Sequence, residues 1–483
     1  MTATLPARRP TWGAEEDAVS IDPTSLAPLG RLAATTPDDL DQRATAAHAA
    51  MAAGWARDGR QRATVMVQWA EALLAHSDEL VAALVAQTGK PVREARVEVL
   101  GAAEALRYNA GLCRHIGGRA GTLSDGNVLH LIREPVGPTA FIVPWNWPVL
   151  LLMRDLSPGL AAGVTALVKP SPQTAPVTAR VLELGHQAGV PEDVVQLVVG
   201  NGAVGEGLVR HRLIRAVSFT GSTAVGRRIL QAASEDLTRP LLELGGKGVS
   251  VLFPDCDVDR AVDAVLSAAF ITAGQMCMAC TRVLVDERIY PRVRDRIATG
   301  AAALQVGDPR LEQTDVGPLI SEAHALRVLG YVEEARDQAS VVTGGSLLHP
   351  QGLRGSFVAP TVVTDVELGS PLVQEDVFGP VVTVEPFRTE DEAVFAANGT
   401  PFGLVGAVWT SNVDRAWRVS SAIAAGTVWV NGYNKSYPEM PSGGFKSSGL
   451  GRTRGIEGLE QFTELKNVHF TVDATAVPLV SPG

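Results

Sequence analysis

Residues 216–226 read AVSFTGSTAVG. A short apolar run, Ala216 to Phe219, meets a turn of small residues and then a segment able to open a helix. Parallel α/β sheets use this order to turn backbone amides and a helix N-terminus toward phosphate. The turn is not a GxGxxG sequence, so the ordinary dinucleotide fingerprint is not matched. Neighbouring runs extend the pattern: TAFIV at 139–143, TALV at 165–168, VVQLVV at 194–199 and LLEL at 241–244. Each is separated from the next by a loop or a stretch of helical length, as in a parallel sheet buried on both faces. A second set begins at GVSVLF (248–253), continues through a helix over 258–273 and reaches TRVLVD (281–286). Two α/β domains side by side is the fold expectation.

The remaining chain agrees with that class. Its 483 residues exceed what one hydrophobic core usually serves. Residues 37–115 read as helical, with Thr36 as cap and Pro37 at the first helical position. Asp125-Gly126 signals a hairpin before the alternating strand NVLHLIREP. The net charge of −10 argues against nucleic acid or an anionic membrane surface as partner. The charge-free window from Val136 to Met153 is long enough to suggest a membrane span, but Pro138, Pro144 and Pro148 would break it. No secretory signal is visible at the N-terminus.

The four cysteines, Cys113, Cys256, Cys277 and Cys280, are too few for a disulfide scaffold and fit a reducing cytoplasm. Cys277 and Cys280 stand three apart in FITAGQMCMACTR (270–282). They could form a redox switch, half of a metal site, or one nucleophile beside a bystander. A metal needs a second ligand pair, and neither a second CxxC nor an HxxxH exists, so no metal is expected. Other candidates are Glu243, followed by Gly245-Gly246 where a backbone can approach a flat ligand, and Asn146 in PWNWP. Singly, each has a plainer reading: small buried hydrophobe, strand-end carboxylate, turn residue.

Taken together, VPWNWP, LVKPSPQT, FTGSTAVG, LELGGK, AGQMCMA, GDP with TDVGPLIS, EDVFGP, GTVWVN and GGFKSSGLGR occur in an order and spacing that resembles the aldehyde dehydrogenase superfamily over nearly the whole chain. The resemblance implies a Rossmann-like cofactor domain (1–112 and 136–245) and a catalytic α/β domain (246–447). A small β oligomerisation element (113–135 and 461–474) completes the fold. Its exposed edge implies a homodimer or homotetramer. The reaction implied is oxidation of a small-molecule aldehyde to a carboxylic acid with NAD or NADP in the cytoplasm. In the family the nucleophile follows Gly-Gln-x, which is Cys277 here, and Cys280 becomes the bystander. Asn146 and the Cys277 N–H would hold the oxyanion, and Glu243 would activate water for thioester hydrolysis. Lys169 is carried over to the adenosine ribose, Trp145 and Ser222 to the phosphates, Asp376 to the nicotinamide ribose and Phe378 to the nicotinamide face, with Gly221 and Gly245 as further cofactor-binding residues.

Four positions depart from the family pattern. Pro172 replaces a glutamate that holds the adenosine ribose hydroxyls, so NADP is not repelled. Asp376 stands for a longer glutamate, and Thr453 for a glutamate of a suggested proton relay. Arg154 and Asp155 replace tryptophan and lysine. Trp147, Leu151 and Arg154 share one helix face that lines the family's substrate tunnel. An arginine there resembles both semialdehyde and aromatic-aldehyde dehydrogenases. Ile271 stands where semialdehyde enzymes carry a second arginine, which favours pairing of Arg154 with Asp155 and an aromatic or bulky aldehyde. The alternative is a semialdehyde held by Arg154. A CoA-acylating relative is disfavoured by Glu243, and an inactive fold relative by the intact Cys277, Glu243 and Asn146.

Overall fold

A computed structural model describes residues 16–472. The chain builds two large sheets. The first has six strands in the order Gly449–Leu450, Arg239–Glu243, Ala216–Thr220, Thr139–Ile142, Ala166–Lys169, Val195–Leu197. All its pairings are parallel except the first, where Gly449 lies against Glu243. Every residue of Ala216–Thr220 is buried, as a strand covered on both faces requires. From Thr139–Ile142 the chain winds outward one way to Val195–Leu197, then returns to add Ala216–Thr220 and Arg239–Glu243 on the other side. The crevice between Ile142 and Thr220 is therefore the topological switch point, where doubly wound sheets bind ligands.

The second sheet has seven strands, ordered Ser340–Thr343, Thr361–Thr364, Val381–Phe387, Cys280–Asp286, Gly248–Leu252, Val405–Trp409, Thr427–Val430. Only the first pair is antiparallel. A three-stranded antiparallel sheet joins Thr463–Phe470, Val128–Pro135 and Arg119–Thr122. The expected hairpin turn is present, with Gly126 at φ 86°. Residues 1–15, 473 and 474 of the expected divisions lie outside the described residues.

The helical stretch predicted over 37–115 divides into Pro37–Ala50, Gly59–Ala75, Ser77–Thr88 and Val92–Leu112. Thr36 caps the first through a reciprocal bond with Asp39, and Pro37 opens it. The helix expected over 258–273 is shorter. It ends at Phe270, because Thr272, Ala273 and Gly274 are all left-handed, with φ of 50°, 53° and 72°. No helix among the described residues is long and apolar enough to cross a membrane.

The helix Ala175–Gln187 seats on the fully buried Trp69, whose indole N–H donates to Val181 O at 3.0 Å. Gly185 permits that approach, since a Cβ there would lie 2.6 Å from the Trp69 ring. Gly185→Ala is expected to destabilise the fold by about 1–3 kcal/mol through overpacking. The check is a lower urea midpoint at unchanged m-value.

Candidate active site

The sequence segments that follow the central strands converge on one cavity of about 560 Å³. Pro144 to Asn146 come from the end of Thr139–Ile142, Gly221 and Ser222 from the end of Ala216–Thr220, and Gly245 from just beyond Arg239–Glu243. Cys277 enters from the loop before the seven-stranded sheet, and Asp376 and Phe378 from the loop before Val381–Phe387. Leu151 lines the same space.

Ser222 is the N-cap of Thr223–Ala233, and its hydroxyl accepts from Val225 N at 3.4 Å. It is exposed, so the helix N-terminus opens to the cavity mouth. A Cβ on Gly245 would sit 2.7 Å from Asp376 Oδ2, so only a bare backbone fits there. The Asp376 carboxyl is pushed up to about 6 by burial, with Lys247 opposing the shift. Trp145 packs edge-on against Phe378 at 5.7 Å and 89°. Lys169 lies outside the cavity wall, buried, with Nζ donating to Pro170 O at 3.3 Å. Burial brings its pKa down to about 8. A helix N-terminus, a glycine floor and a cation without a carboxylate together suit an elongated diphosphate ligand. These residues fit a nicotinamide dinucleotide.

Cys277 is half-buried on the cavity wall. Burial drives its pKa up to about 11; Arg154 pulls it down, while Glu243 and Asp376 push it further up. The Asn146 amide donates to Gln275 O at 3.0 Å, which ties it to the loop that carries Cys277. Glu243 is buried, and its Oε1 has no hydrogen-bond partner among the described residues. Burial raises its pKa to about 7, against the pull of Arg154.

Arg154 does not line the cavity. Its fork grips Asp155 at 2.7 and 2.9 Å, and Nη2 also donates to Thr220 Oγ1 at 2.6 Å. Ser218 completes the carboxylate at 3.0 Å. Trp147 lies under Lys90, whose Nζ is 3.8 Å from the ring centroid, and it lines a separate depression with Ile271. Cys280 is fully buried, 3.3 Å from Ser250 Oγ, and faces the interior of the seven-stranded sheet. Its thiol is pushed up to about 12 by burial.

Sequence reasoning missed four groups around the site. Glu94 and Glu98 are buried one turn apart on Val92–Leu112. Two carboxylates on the apolar face of an amphipathic helix were the available signal. Thr272 carried no signal. Arg454 is half-buried at φ 62°; its carbonyl accepts from Gly458 N at 2.7 Å, and its guanidinium has no hydrogen-bond or ion-pair partner among the described residues. Its charged neighbours are Arg154, Asp155, Glu243 and Cys277.

This geometry defines a class: a two-sheet α/β protein whose nucleotide-shaped cavity ends at a cysteine and an asparagine. The aldehyde dehydrogenase family matches residues 12–468. A betaine aldehyde dehydrogenase of Vibrio vulnificus is 38% identical over 86% of this chain and 87% of its own. The NADP/NAD-dependent aldehyde dehydrogenase PuuC of Escherichia coli is 36% identical over 94% and 92%. Among solved structures, Staphylococcus aureus betaine aldehyde dehydrogenase in complex with NAD+ superposes with a TM-score of 0.93. It is 32% identical, with 97% of this chain and 94% of that chain covered. The chain belongs to the aldehyde dehydrogenase family, has its fold, and is an NAD(P)-dependent oxidoreductase.

A thiol held near 11 is almost wholly protonated at neutral pH in the free enzyme. Iodoacetamide labelling of Cys277 should therefore quicken about tenfold per pH unit from 7 to 9, because only the thiolate reacts. Peptide mass spectrometry of the labelled site checks this. A plateau below pH 8 would contradict it.

Proposed function

We propose that the chain converts an aldehyde to its carboxylic acid through a thioester on Cys277, with Glu243 as the base for hydrolysis. The observation that carries this reading is the shared cavity wall of Cys277 and Asn146, with the Asn146 amide tied to the nucleophile loop. In this reading Lys169, Trp145, Gly221, Ser222, Gly245, Asp376 and Phe378 hold NAD(P)+. That cofactor supplies the acceptor for the hydride, leaving a thioester. Cys277, once deprotonated, attacks the carbonyl carbon. The Asn146 amide and the Cys277 N–H stabilise the oxyanion that develops. Glu243, ionised above pH 7, takes the proton of the attacking water.

The substrate we favour is an aromatic or bulky aldehyde. The support is local: the Arg154 fork is spent on Asp155, Ile271 is apolar, and Leu151 faces the cavity. Curated relatives are named for betaine aldehyde and 4-trimethylaminobutyraldehyde. Among the described residues lining the cavity, Glu375 and Asp376 are the carboxylates, and Asp376 is pushed up to about 6 by burial, so we do not assign a cationic aldehyde. For assembly, the outer edge of Thr463–Phe470 offers unpaired backbone groups to a second copy, which supports a homo-oligomer.

Glu243→Gln should lower steady turnover about a hundredfold or more, while stopped flow still records a first-turnover burst of reduced cofactor. In the unmodified enzyme, turnover should rise with pH through about 7, since the base must shed its proton first. Cys277→Ser should abolish oxidation and Cys280→Ser should spare it; the reverse pattern would sink the assignment.

Arg154→Leu strands the buried Asp155 carboxylate, so a stability loss of about 3–5 kcal/mol is expected. Activity on succinic semialdehyde, aliphatic and aromatic aldehydes should fall together. A selective loss on the acid semialdehyde would instead make Arg154 the substrate anchor.

A further inference from the structure

The helix Val92–Leu112 reaches both walls of the cleft through two buried carboxylates. Glu98 Oε1 accepts from Val149 N at 2.8 Å and Leu150 N at 3.2 Å. Those are the first amides of Pro148–Ala162, the helix that begins directly after Asn146 and Trp147. Lys90 completes Glu98 in a fully buried ion pair. One turn earlier, Glu94 accepts from Thr272 on the opposite wall. The backbone N lies 3.1 and 2.9 Å from its two oxygens, and Thr272 Oγ1 donates at 2.6 Å.

Thr272 needs such a hold. A β-branched residue at φ 50° is a genuine outlier, and Ala273 beside it has φ 53°. Strain of that kind persists only where its surroundings over-determine it. The held turn sets Gln275, whose backbone N and side-chain Nε2 both donate to Thr272 O at 3.0 Å. Gln275 Oε1 accepts from Ile320 N at 2.9 Å, and Gln275 O is the group that receives the Asn146 amide. Cys277 follows two residues later. A continuous chain of bonds therefore runs from Glu94 through Thr272 and Gln275 to Asn146, while Glu98 fixes the segment carrying Asn146 from the other side.

We propose that Glu94 is a positioning residue: with Glu98 on the same helix, it sets the placement of the Asn146 amide relative to Cys277. Glu94 touches neither substrate nor cofactor in this scheme. It acts by holding Thr272 left-handed, which orients the Gln275 carbonyl and the loop leading to Cys277. The proposal rests on the reading of Cys277 and Asn146 as nucleophile and oxyanion donor.

The test is a double-mutant cycle between Glu94 and Asn146, read as kcat/KM, with cofactor Kd measured by fluorescence titration. Glu94→Ala should lower kcat/KM about a hundredfold, the scale of a 1 Å misplacement of reacting groups. Cofactor Kd should stay unchanged. In the Asn146→Ala background the same substitution should cost far less, because the group it places is gone. Glu94→Gln, which keeps an acceptor for the Thr272 N–H, should recover part of the loss. If Glu94→Ala does not fold, Thr272→Val takes its place in the cycle, removing only the hydroxyl bond. Equal costs in both backgrounds, or a parallel rise in cofactor Kd, would overturn the positioning role and leave the site reading intact. An inert Asn146→Ala would overturn the site reading, and the positioning role with it.

Discussion

Three successive left-handed residues, Thr272 to Gly274, are the constraint around which the active-site region is arranged. They stop the helix Val258–Phe270 and bring the chain back across the cleft before it enters the strand Cys280–Asp286. Two of the three are not glycine, and each such residue costs on the order of 1–3 kcal/mol unless its surroundings hold it. Gly274 is the one that sterics demand: a Cβ there would stand 2.1 Å from Gly379 O. The same crowding recurs at Gly246, where a Cβ would lie 2.4 Å from Cys277 O. The LELGGK glycines thus let the strand-end of one sheet touch the Cys277 loop that leads into the other.

Charge in the cleft is balanced within a small space. Arg154 and Asp155 neutralise each other and are completed by Thr220 and Ser218. A buried pair left half-satisfied would be costly, whereas this one has its polar atoms engaged. Burial pushes both Cys277 and Glu243 up; Arg154 draws both toward ionisation, while Asp155 opposes it at Glu243. The balance leaves the thiol protonated and the carboxyl near 7. A carboxyl poised there can exchange a proton at neutral pH, which an ordinary surface glutamate near 4.3 does poorly.

The six-stranded sheet was legible because buried parallel strands read as short apolar runs, and the runs at 139–143, 165–168, 194–199, 216–219 and 241–244 each overlap one of its strands. The capped helix at Pro37 and the hairpin at Gly126 were legible from local chemistry alone. The helix end at Phe270 was not. Ile271, Thr272 and Ala273 have no breaker among them, and Thr272 is bonded to Glu94, 178 residues away in sequence. The roles of Glu94 and Glu98 were hidden for the complementary reason, although their place on an apolar helix face was visible. Besides Thr272 Oγ1 and Lys90, their partners are backbone amides, which carry no letter in the sequence. The pairing of Arg154 with Asp155 could be weighed in advance, since adjacency made it available.

Thr453 is the departure that bears most directly on the base. It is buried, and its hydroxyl donates to Ser442 O at 3.3 Å, so it is turned to the strand bridge rather than to a proton path. Ser442 and Thr453 also exchange backbone bonds at 2.8 and 2.7 Å, which fix that hairpin. Glu243 Oε1 consequently has no protein group to share a proton with. An unpartnered buried carboxyl oxygen is costly to keep, by about 1–3 kcal/mol, and is tolerated chiefly where it has work to do. In the reading we propose, in which Glu243 activates water for thioester hydrolysis, a free acceptor one residue before the cavity-lining Leu244 is that kind of work. In that reading, the threonine at 453 and the free oxygen of Glu243 belong to one arrangement, in which Glu243 handles the proton without a relay carboxylate at 453.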